Sequence, residues 1–170
     1  MIEVLVTMVI IAFGLLGMAG LQIRMHTSEM ESYQRSQALL LLNDMSSRIA
    51  VNRNTSGAYV TGTAALGSGM ACPTANTTMV QQDLKEWCEA LQGAAEVSGT
   101  DRVGAMVGGR GCVQVAGGDY LVTVVWQGLI PISAPPSSVN CGANAFNGGT
   151  SCVNDLCRRA VTTLVRVAAL

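Results

Sequence analysis

The residues with the clearest capacity for chemistry are six cysteines, all of which follow residue 71 of a 170-residue chain. They are Cys72, Cys88, Cys112, Cys141, Cys152 and Cys157. Structural zinc sites usually show close ligand pairs, but the sequence has no Cys-x-x-Cys pair, and its only histidine, His26, is far from every cysteine. An even cysteine count in one Gly-rich region instead favours disulfides, and therefore export to an oxidising compartment.

No catalytic constellation accompanies these cysteines. With His26 as the only histidine, a Ser-His-Asp or Cys-His arrangement has no base in the distal part of the chain, so we expect His26 to be an exposed helix residue. The Gly-rich stretch at 107–111 lacks the ending of a phosphate-binding loop and predicts a turn. Charged residues make up 12% of the chain and the net charge is -1, which argues against a nucleic-acid partner. We therefore expect no enzyme, no metal and no cofactor.

The carboxylate of Glu3 precedes a run of 20 residues without a charge, residues 4–23. As a helix this run would span roughly 30 Å, the thickness of the hydrocarbon core of a bilayer. A secretory signal has a basic start and a shorter apolar core, and no Lys or Arg precedes this run. The pattern predicts a membrane helix.

Glu3 needs an explanation within such a helix. The helix dipole favours a carboxylate in the first turn, which is the simplest interpretation. If the helix is buried in lipid or in a filament core, however, an unpaired carboxylate costs about 2.5–3.5 kcal/mol and calls for a cationic partner. The available partner is an amino terminus, either its own or that of a neighbouring subunit.

Three glycines, Gly14, Gly17 and Gly20, interrupt the apolar run at a spacing of three. Small residues allow close helix packing in membranes. Each glycine also weakens a helix by about 1 kcal/mol relative to alanine, which would let the segment unwind locally. Both interpretations remain open.

The helical pattern continues beyond the apolar run and becomes amphipathic. Apolar residues recur on one helix face: Met30, Ala38, Leu41, Leu42, Met45 and Ile49. The pattern weakens at Asn52, so we expect one helix of about 50 residues. It divides the chain into a membrane or filament-core half at 1–23, an amphipathic half at 24–53 and an exported domain at 54–170.

The distal domain shows helix and strand signals in turn. Residues 54–77 predict a loop, and a capping box at Thr78 and Gln81 predicts a short helix that ends near Gly93. Its apolar face comprises Val80, Leu84, Trp87 and Leu91. Residues 98–111 are Gly-rich and predict irregular structure.

Strands at 112–115 and 120–127 are separated by a Gly117-Gly118 turn, and a third follows a loop at 131–151 and covers about 158–167. In the second strand Tyr120, Val122, Val124 and Trp126 share one face. The sequence thus predicts an α+β fold with a small antiparallel sheet, one face of which packs on the amphipathic half of the long helix.

The start of the chain resembles a known family. Met1-Ile-Glu-Val-Leu-Val-Thr-Met-Val-Ile-Ile resembles the class III signal of type IV prepilins, in which the processed chain begins with Phe, then Thr or Ser, then Leu-Ile-Glu-Val-Leu-Val. Glu3 falls on the family's glutamate. The family's leader, its glycine and the first two mature residues, including the Phe that becomes methylated, are absent from the sequence.

Later segments are similar to the PilV-type minor pilins of this family. They are Gly14-Leu-Leu-Gly-Met-Ala-Gly-Leu-Gln22, Asn43-Asp-Met-Ser-Ser-Arg-Ile-Ala-Val-Asn-Arg53, Asp119-Tyr-Leu-Val-Thr-Val-Val-Trp-Gln127 and Arg158-Arg-Ala-Val-Thr-Thr162. One departure is Gly20, which stands near a position where many major pilins carry a helix-breaking proline.

The resemblance implies the type IV pilin fold and a minor pilin that helps to prime pilus assembly and to form the tip complex. It implies a single-pass inner-membrane anchor with a periplasmic C-terminal domain, and later a place in the pilus at the cell surface. The implied partners are other minor pilins, the major pilin, membrane lipid, and, for the precursor, prepilin peptidase and the assembly platform, with a tip adhesin as a further candidate. A minor pseudopilin of type II secretion and a membrane-tethered binding domain are the alternatives.

Six cysteines allow 15 complete pairings, and we put forward one of them as a hypothesis. Cys72 would pair with Cys88 across the loop and the short helix, and Cys112 with Cys141 between the first strand and the long loop. Cys152 and Cys157 would then pair with each other before the last strand. Each bridge would contribute about 2–4 kcal/mol to a small domain with few aromatic residues.

Because the family motif begins mid-pattern, we expect an in-frame leader upstream of Met1 that is basic, ends in Gly and is followed by two further residues. Sequencing of the DNA upstream of Met1 tests this. A stop codon immediately before Met1 would contradict it.

Overall fold

A computed structural model describes residues 2–94, 96–99, 101–102, 104 and 106–167. The chain divides into two units, Met1–Tyr33 and Gln34–Leu170. The first unit is helical throughout its described residues, and the second contains the remainder of that helix and the mixed α/β domain. Met1, with which the family motif starts, lies outside the described residues.

The long helix α1 runs over Ile2–Val51, which confirms the predicted helix of about 50 residues. Its buried residues in the second unit recur at helical spacing: Gln34, Ala38, Leu42, Met45 and Ile49. Leu41 is half-buried beside them. Met30 has the same helical spacing, but it is exposed and lies in the first unit, before the first buried position.

The second helix, α2, covers Met79–Leu91 and begins at the predicted capping box. The Thr78 hydroxyl accepts from the Gln81 backbone N–H at 3.2 Å, and the Gln81 side chain accepts in return from the Thr78 N–H. Gly93 follows the helix with a positive φ of 86°, a conformation that suits glycine at a helix end. The predicted apolar face packs into the core, with Leu84 half-buried at its margin.

The interpretation of residues 54–77 as a loop was wrong in part. A short 3-10 helix covers Arg53–Tyr59, where the hydroxyls of Thr55 and Ser56 bond to carbonyls three residues earlier. A two-residue strand, β1, follows at Leu66–Gly67. Neither has a side-chain period long enough to be recognised from sequence.

Residues 98–111 are also less irregular than predicted. Strands β2, Val97–Ser98, and β3, Asp101–Arg102, form a small hairpin, and β4 already starts at Arg110. Two-residue strands, and a strand that begins with glycine-rich sequence, show no alternation of apolar and polar residues. The prediction of irregular structure therefore rested on the glycine content alone.

The main sheet of the described residues is antiparallel, with the order β1-β4-β5-β6. Strands β4, Arg110–Ala116, and β5, Asp119–Gln127, flank the predicted turn, in which Gly117 and Gly118 have φ of 63° and 94°. Strand β6 covers Arg158–Val165, two residues shorter than predicted. The observed helix and sheet are consistent with the type IV pilin α+β fold.

The sheet has two covered faces. As predicted, Val122, Val124 and Trp126 join the apolar residues of α1 and α2 in the main core, with Tyr120 half-buried beside them. The opposite face was not predicted to be covered. There Cys112 and Val125 pack with Cys141 and Phe146 from the long loop. The alternation of side chains along β5 therefore identifies the residues that share a face. It does not show whether the second face is exposed to solvent, because both faces are apolar.

Gly111 of β4 faces the ring of Trp87, which is fully buried. A Cβ atom at Gly111 would overlap the six-membered ring, so α2 can approach the sheet only if this residue is glycine. We predict that Gly111→Ala lowers the free energy of unfolding by about 1–3 kcal/mol, the usual cost of overpacking.

Gly148→Ala is the matched control, since a Cβ there would meet no atom within 4 Å. Denaturant unfolding followed by tryptophan fluorescence measures both variants, because Trp87 and Trp126 are buried in the core. Equal stability of the two variants would show that the helix can shift at no cost.

Candidate functional site

The first unit presents an apolar surface that the described residues leave exposed. Large apolar side chains between residues 2 and 23 are each 49–76% exposed. They are Ile2, Val4, Leu5, Val6, Met8, Val9, Ile10, Ile11, Phe13, Leu15, Leu16, Met18, Leu21 and Ile23. Such a surface needs lipid or other apolar helices around it. Within the described part of the chain, α1 is the helix long and apolar enough to cross a membrane, by length and composition.

Glu3 lies in the first turn of α1, where the helix dipole favours a carboxylate. Its side chain is exposed, and among the described residues no ion pair involves it. The amino group of Met1, one of the two candidate partners, lies outside those residues. The pairing of Glu3 in assembly stays a prediction.

The three glycines lie within the continuous helix and share one side of it. A Cβ atom at Gly14, Gly17 or Gly20 would meet no atom within 4 Å. Packing inside this chain therefore does not require them to be glycine. Packing on another molecule and local unwinding both remain predictions.

In the second unit, a buried polar cluster holds the end of α1, the 3-10 helix and α2 together. Asp83 of α2 accepts from Arg48 Nη1 at 2.6 Å, from Asn52 Nδ2 at 3.2 Å and from the Tyr59 hydroxyl. Asn52 also donates to the Tyr59 oxygen at 2.7 Å. The three donors leave little of the Asp83 carboxylate unsatisfied, which is the condition for burying it.

Arg48 is the cation of this cluster. Its Nε lies 3.0 Å from Asp44 Oδ1, one helical turn earlier, and its Nη1 also reaches Glu86 Oε2 at 2.8 Å. Burial lowers the pKa of Arg48, but the hydrogen bonds to Glu86, Asp44 and Asp83 outweigh it and hold the pKa above its ordinary value. The hydrogen bond from Arg48 lowers the pKa of Glu86.

The sequence analysis missed this cluster, although a signal was present. Asp44, Arg48 and Asn52 recur every four residues, so they share one side of the helix end. They lie within the segment that resembles the PilV-type helix end. Their partner Asp83 could not be identified, because it lies on another helix, 31 residues beyond Asn52, and the sequence does not show which helices meet.

Trp87 provides the second attachment of α2. Its Nε1 donates to the carbonyl oxygen of Leu41 at 2.9 Å, and its ring packs on Gly111. The Cys72–Cys88 disulfide then ties α2 to the preceding loop. Helix α2 is thus fixed by an ion pair, an indole and a disulfide.

The other two disulfides organise the long loop. Cys112–Cys141 joins β4 to the loop over the second face of the sheet, and Cys152–Cys157 closes a small loop before β6. With Cys72–Cys88 these are the three pairs that the sequence analysis put forward. They join residues 16, 29 and 5 positions apart.

A buried arginine completes this loop. Arg158 Nη1 donates to the carbonyls of Val139 and Cys141 at 2.7 and 3.0 Å, and its Nε lies 3.2 Å from Asp155 Oδ2. Asp155 Oδ1 accepts from the Asn144 backbone N–H at 2.8 Å. The loop is therefore a packed part of the domain.

Groups for catalysis or metal binding are not brought together in the described part of the chain. All six cysteines are in disulfides, and no group of three or more His, Cys, Asp or Glu residues there could hold a metal ion. His26 is exposed and its Nδ1 lies 3.4 Å from Glu29.

A family model described as Tt1218-like, type IV pilin Tt1218, matches residues 20–96, a little under half of the chain. The matched part extends from the last residues of the apolar run in α1 through the 3-10 helix and α2. No curated protein and no solved structure matches the chain. The family match and the fold support a type IV pilin.

The geometry of the Asp83 cluster makes a prediction about pH. Burial, and then the hydrogen bond to Asp83, raise the pKa of Tyr59 to about 12 from an ordinary value near 10. Since the folded state holds the proton more tightly, this stabilisation is complete below pH of about 10 and is lost as pH rises toward 12. We expect the free energy of unfolding to fall by about 2–3 kcal/mol over that interval.

Denaturant titrations of the full chain in detergent micelles, followed by tryptophan fluorescence, test this. Tyr59→Phe should remove the alkaline slope, whereas Tyr33→Phe, at an exposed position, should retain it. A slope that persists in Tyr59→Phe would assign the alkaline loss to another group.

Proposed function

We propose that this chain is a minor pilin of a type IV pilus, of the PilV kind, and that it is not an enzyme. It would be anchored in the inner membrane before assembly, help to prime the pilus and take part in the tip complex. The observation that carries the proposal is the combination of an uncovered apolar helix that bears Glu3 with a disulfide-linked domain on the same chain.

The uncovered helix supports a subunit that exchanges lipid for protein. Residues 2–23 carry no charge other than Glu3, so moving them from a bilayer into a bundle of apolar helices changes their surroundings little. A helix that only tethers a domain would need the same apolar length but no carboxylate at its start. Glu3 is the residue that separates the two functions.

In the proposed assembly step, Glu3 pairs with the amino terminus of a neighbouring subunit. An ion pair in a medium of low dielectric constant is worth several kcal/mol, enough to select one axial position of the helix over others. The Gly14, Gly17 and Gly20 side would either pack closely on a neighbour or unwind locally as the subunit enters. Residues 1–23 would then form filament core, 24–53 the docking half of the helix and 54–170 the outer domain.

The disulfides support export of the distal domain. Disulfides form in oxidising compartments such as the bacterial periplasm, which agrees with a single-pass anchor whose C-terminal domain is periplasmic. Other minor pilins, the major pilin and the membrane assembly platform would be the partners, with prepilin peptidase acting on the precursor and a tip adhesin as a further partner.

The choice of a minor pilin over a pseudopilin of type II secretion rests on the resemblance of four segments to the PilV type. Both would show the same fold and the same Glu3 chemistry. Loss of pili, rather than loss of a secreted enzyme, on deletion of the gene would separate them.

We predict that Glu3→Ala leaves the protein in the membrane but impairs its entry into pili. Removing the charge makes insertion easier, since alanine carries no desolvation cost. The core of the distal domain begins at Ala38, so its stability should not change. The measured quantity is the amount of this protein in sheared pili divided by its amount in the membrane, and we expect it to fall by about tenfold or more, a loss of at least about 1.4 kcal/mol.

Glu29→Ala is the matched control, because Glu29 is also an exposed carboxylate in the first unit of α1. Its ratio should equal that of the wild type. An unchanged ratio in Glu3→Ala would count against the filament function of Glu3 and would favour the tethered binding domain.

A further inference from the structure

The sequence contains one Asn-Gly pair, Asn147-Gly148, and it lies in the long loop with both residues exposed. In such a pair the backbone nitrogen of the glycine can attack the amide carbon of the asparagine side chain. A C–N bond forms, ammonia leaves, and water then opens the cyclic imide to aspartate or isoaspartate. Glycine favours the attack because no Cβ atom crowds its nitrogen. The pair is therefore a chemically reactive site that solvent can reach.

Hydrogen bonds hold both reacting groups of this pair. The Gly148 N–H donates to the Cys152 carbonyl at 2.8 Å, and the two residues form an isolated antiparallel bridge. The Asn147 side chain accepts from the Asp155 backbone N–H at 2.8 Å through Oδ1 and donates to Asn144 Oδ1 at 3.2 Å through Nδ2. The attack needs a Gly148 nitrogen that can release its proton and a carboxamide that is free to turn toward it, so these bonds oppose it.

Two of the groups that hold the pair belong to the small loop closed by the Cys152–Cys157 disulfide. Cys152 supplies the carbonyl and Asp155 the N–H. Asn154 and Asp155 have φ of 54° and 60°, and successive residues in this left-handed region persist only where their surroundings hold them. The disulfide is one such restraint. Without it the loop can relax, and the Asp155 N–H would move away from Asn147.

We propose that Asn147-Gly148 is a deamidation site that the Cys152–Cys157 disulfide keeps unreactive. In a chain whose small disulfide is absent, Asn147 would lose ammonia and become aspartate or isoaspartate, with water as the co-reactant. The site lies in the distal domain, so it is independent of whether the chain enters filaments.

The product would not fit the loop as asparagine does. A carboxylate at residue 147 cannot donate to Asn144 Oδ1, and isoaspartate adds a methylene group to the backbone next to the Gly148–Cys152 bridge. Phe146, the preceding residue, is 4% exposed and packs over the second face of the sheet. Deamidation would therefore loosen the cover of that face and would permanently mark a chain that had lacked its small disulfide.

The test measures conversion of Asn147 by peptide mapping and mass spectrometry, with the full chain in detergent micelles at mildly alkaline pH. The folded, oxidised wild type should react at least about tenfold more slowly than the same chain reduced in denaturant. The double variant Cys152→Ala, Cys157→Ala, with its fold checked by tryptophan fluorescence, should react about tenfold faster than the folded wild type.

The double variant Cys72→Ala, Cys88→Ala is the matched control. It removes a bridge between residues 16 positions apart rather than 5, so it should lower the stability of the whole domain at least as much. Its rate at Asn147 should nevertheless stay near that of the folded wild type, since the small loop remains closed. Equal acceleration in the two double variants would assign the reaction to unfolding of the domain and would overturn the proposal.

Asn144→Gly decides the question if the Cys152→Ala, Cys157→Ala variant does not fold. Glycine suits the φ of 60° at this exposed position, and the substitution keeps all three disulfides but removes the acceptor of Asn147 Nδ2. Its rate should exceed that of the wild type by about threefold or more. A wild-type rate in the decisive variant, or conversion of the folded wild type as fast as that of the denatured chain, would overturn the proposal.

Discussion

The arrangement of the domain depends on one buried carboxylate, Asp83. Its three donors come from the end of α1 and from the 3-10 helix, so a single side chain fixes three segments relative to each other. Removing one partner from such a buried pair costs about 3–5 kcal/mol, since the remaining charge stays desolvated. Trp87 lies one turn further along α2. Its indole N–H donates to the Leu41 carbonyl, and its ring packs so close to Gly111 that a Cβ atom there would overlap it.

Asp83 is also where prediction from sequence reached its limit. Periodicity identified α1, α2 and the strands, because each buries residues at a regular spacing of 3.6 or 2. It did not identify the 3-10 helix, β1 or the β2–β3 hairpin, which are too short for a period and are held by local hydroxyl bonds or by glycine conformation. It placed Met30 on the apolar face but could not show that Met30 is exposed, because a helix pattern tells which side is apolar and not where burial begins. The residues of the candidate site differed in how far the sequence revealed them. Glu3 and the apolar run were visible from composition alone, whereas Asp83 required knowledge of which helices meet.

Helix α1 is one continuous helix with two different surfaces. From Ala38 onward its apolar stripe is buried in the main core with residues of the sheet and α2. Over residues 4–23 it is apolar on all sides, and none of the described residues buries it. Stability of the domain therefore comes from the second unit alone, while the first unit has a surface that only other molecules can cover. A substitution in the first unit should therefore leave the stability of the core unchanged, and a substitution in the core should leave the exposed surface of the first unit unchanged. The effects on folding and on assembly can then be measured separately.

The disulfides stabilise the second unit. The domain has few aromatic residues and a long loop, and loop ordering is a cost that a small core does not easily offset. Cys112–Cys141 and the Asp155–Arg158 pair fasten that loop over the second face of the sheet, so residues 122–126 of β5 are buried on both faces.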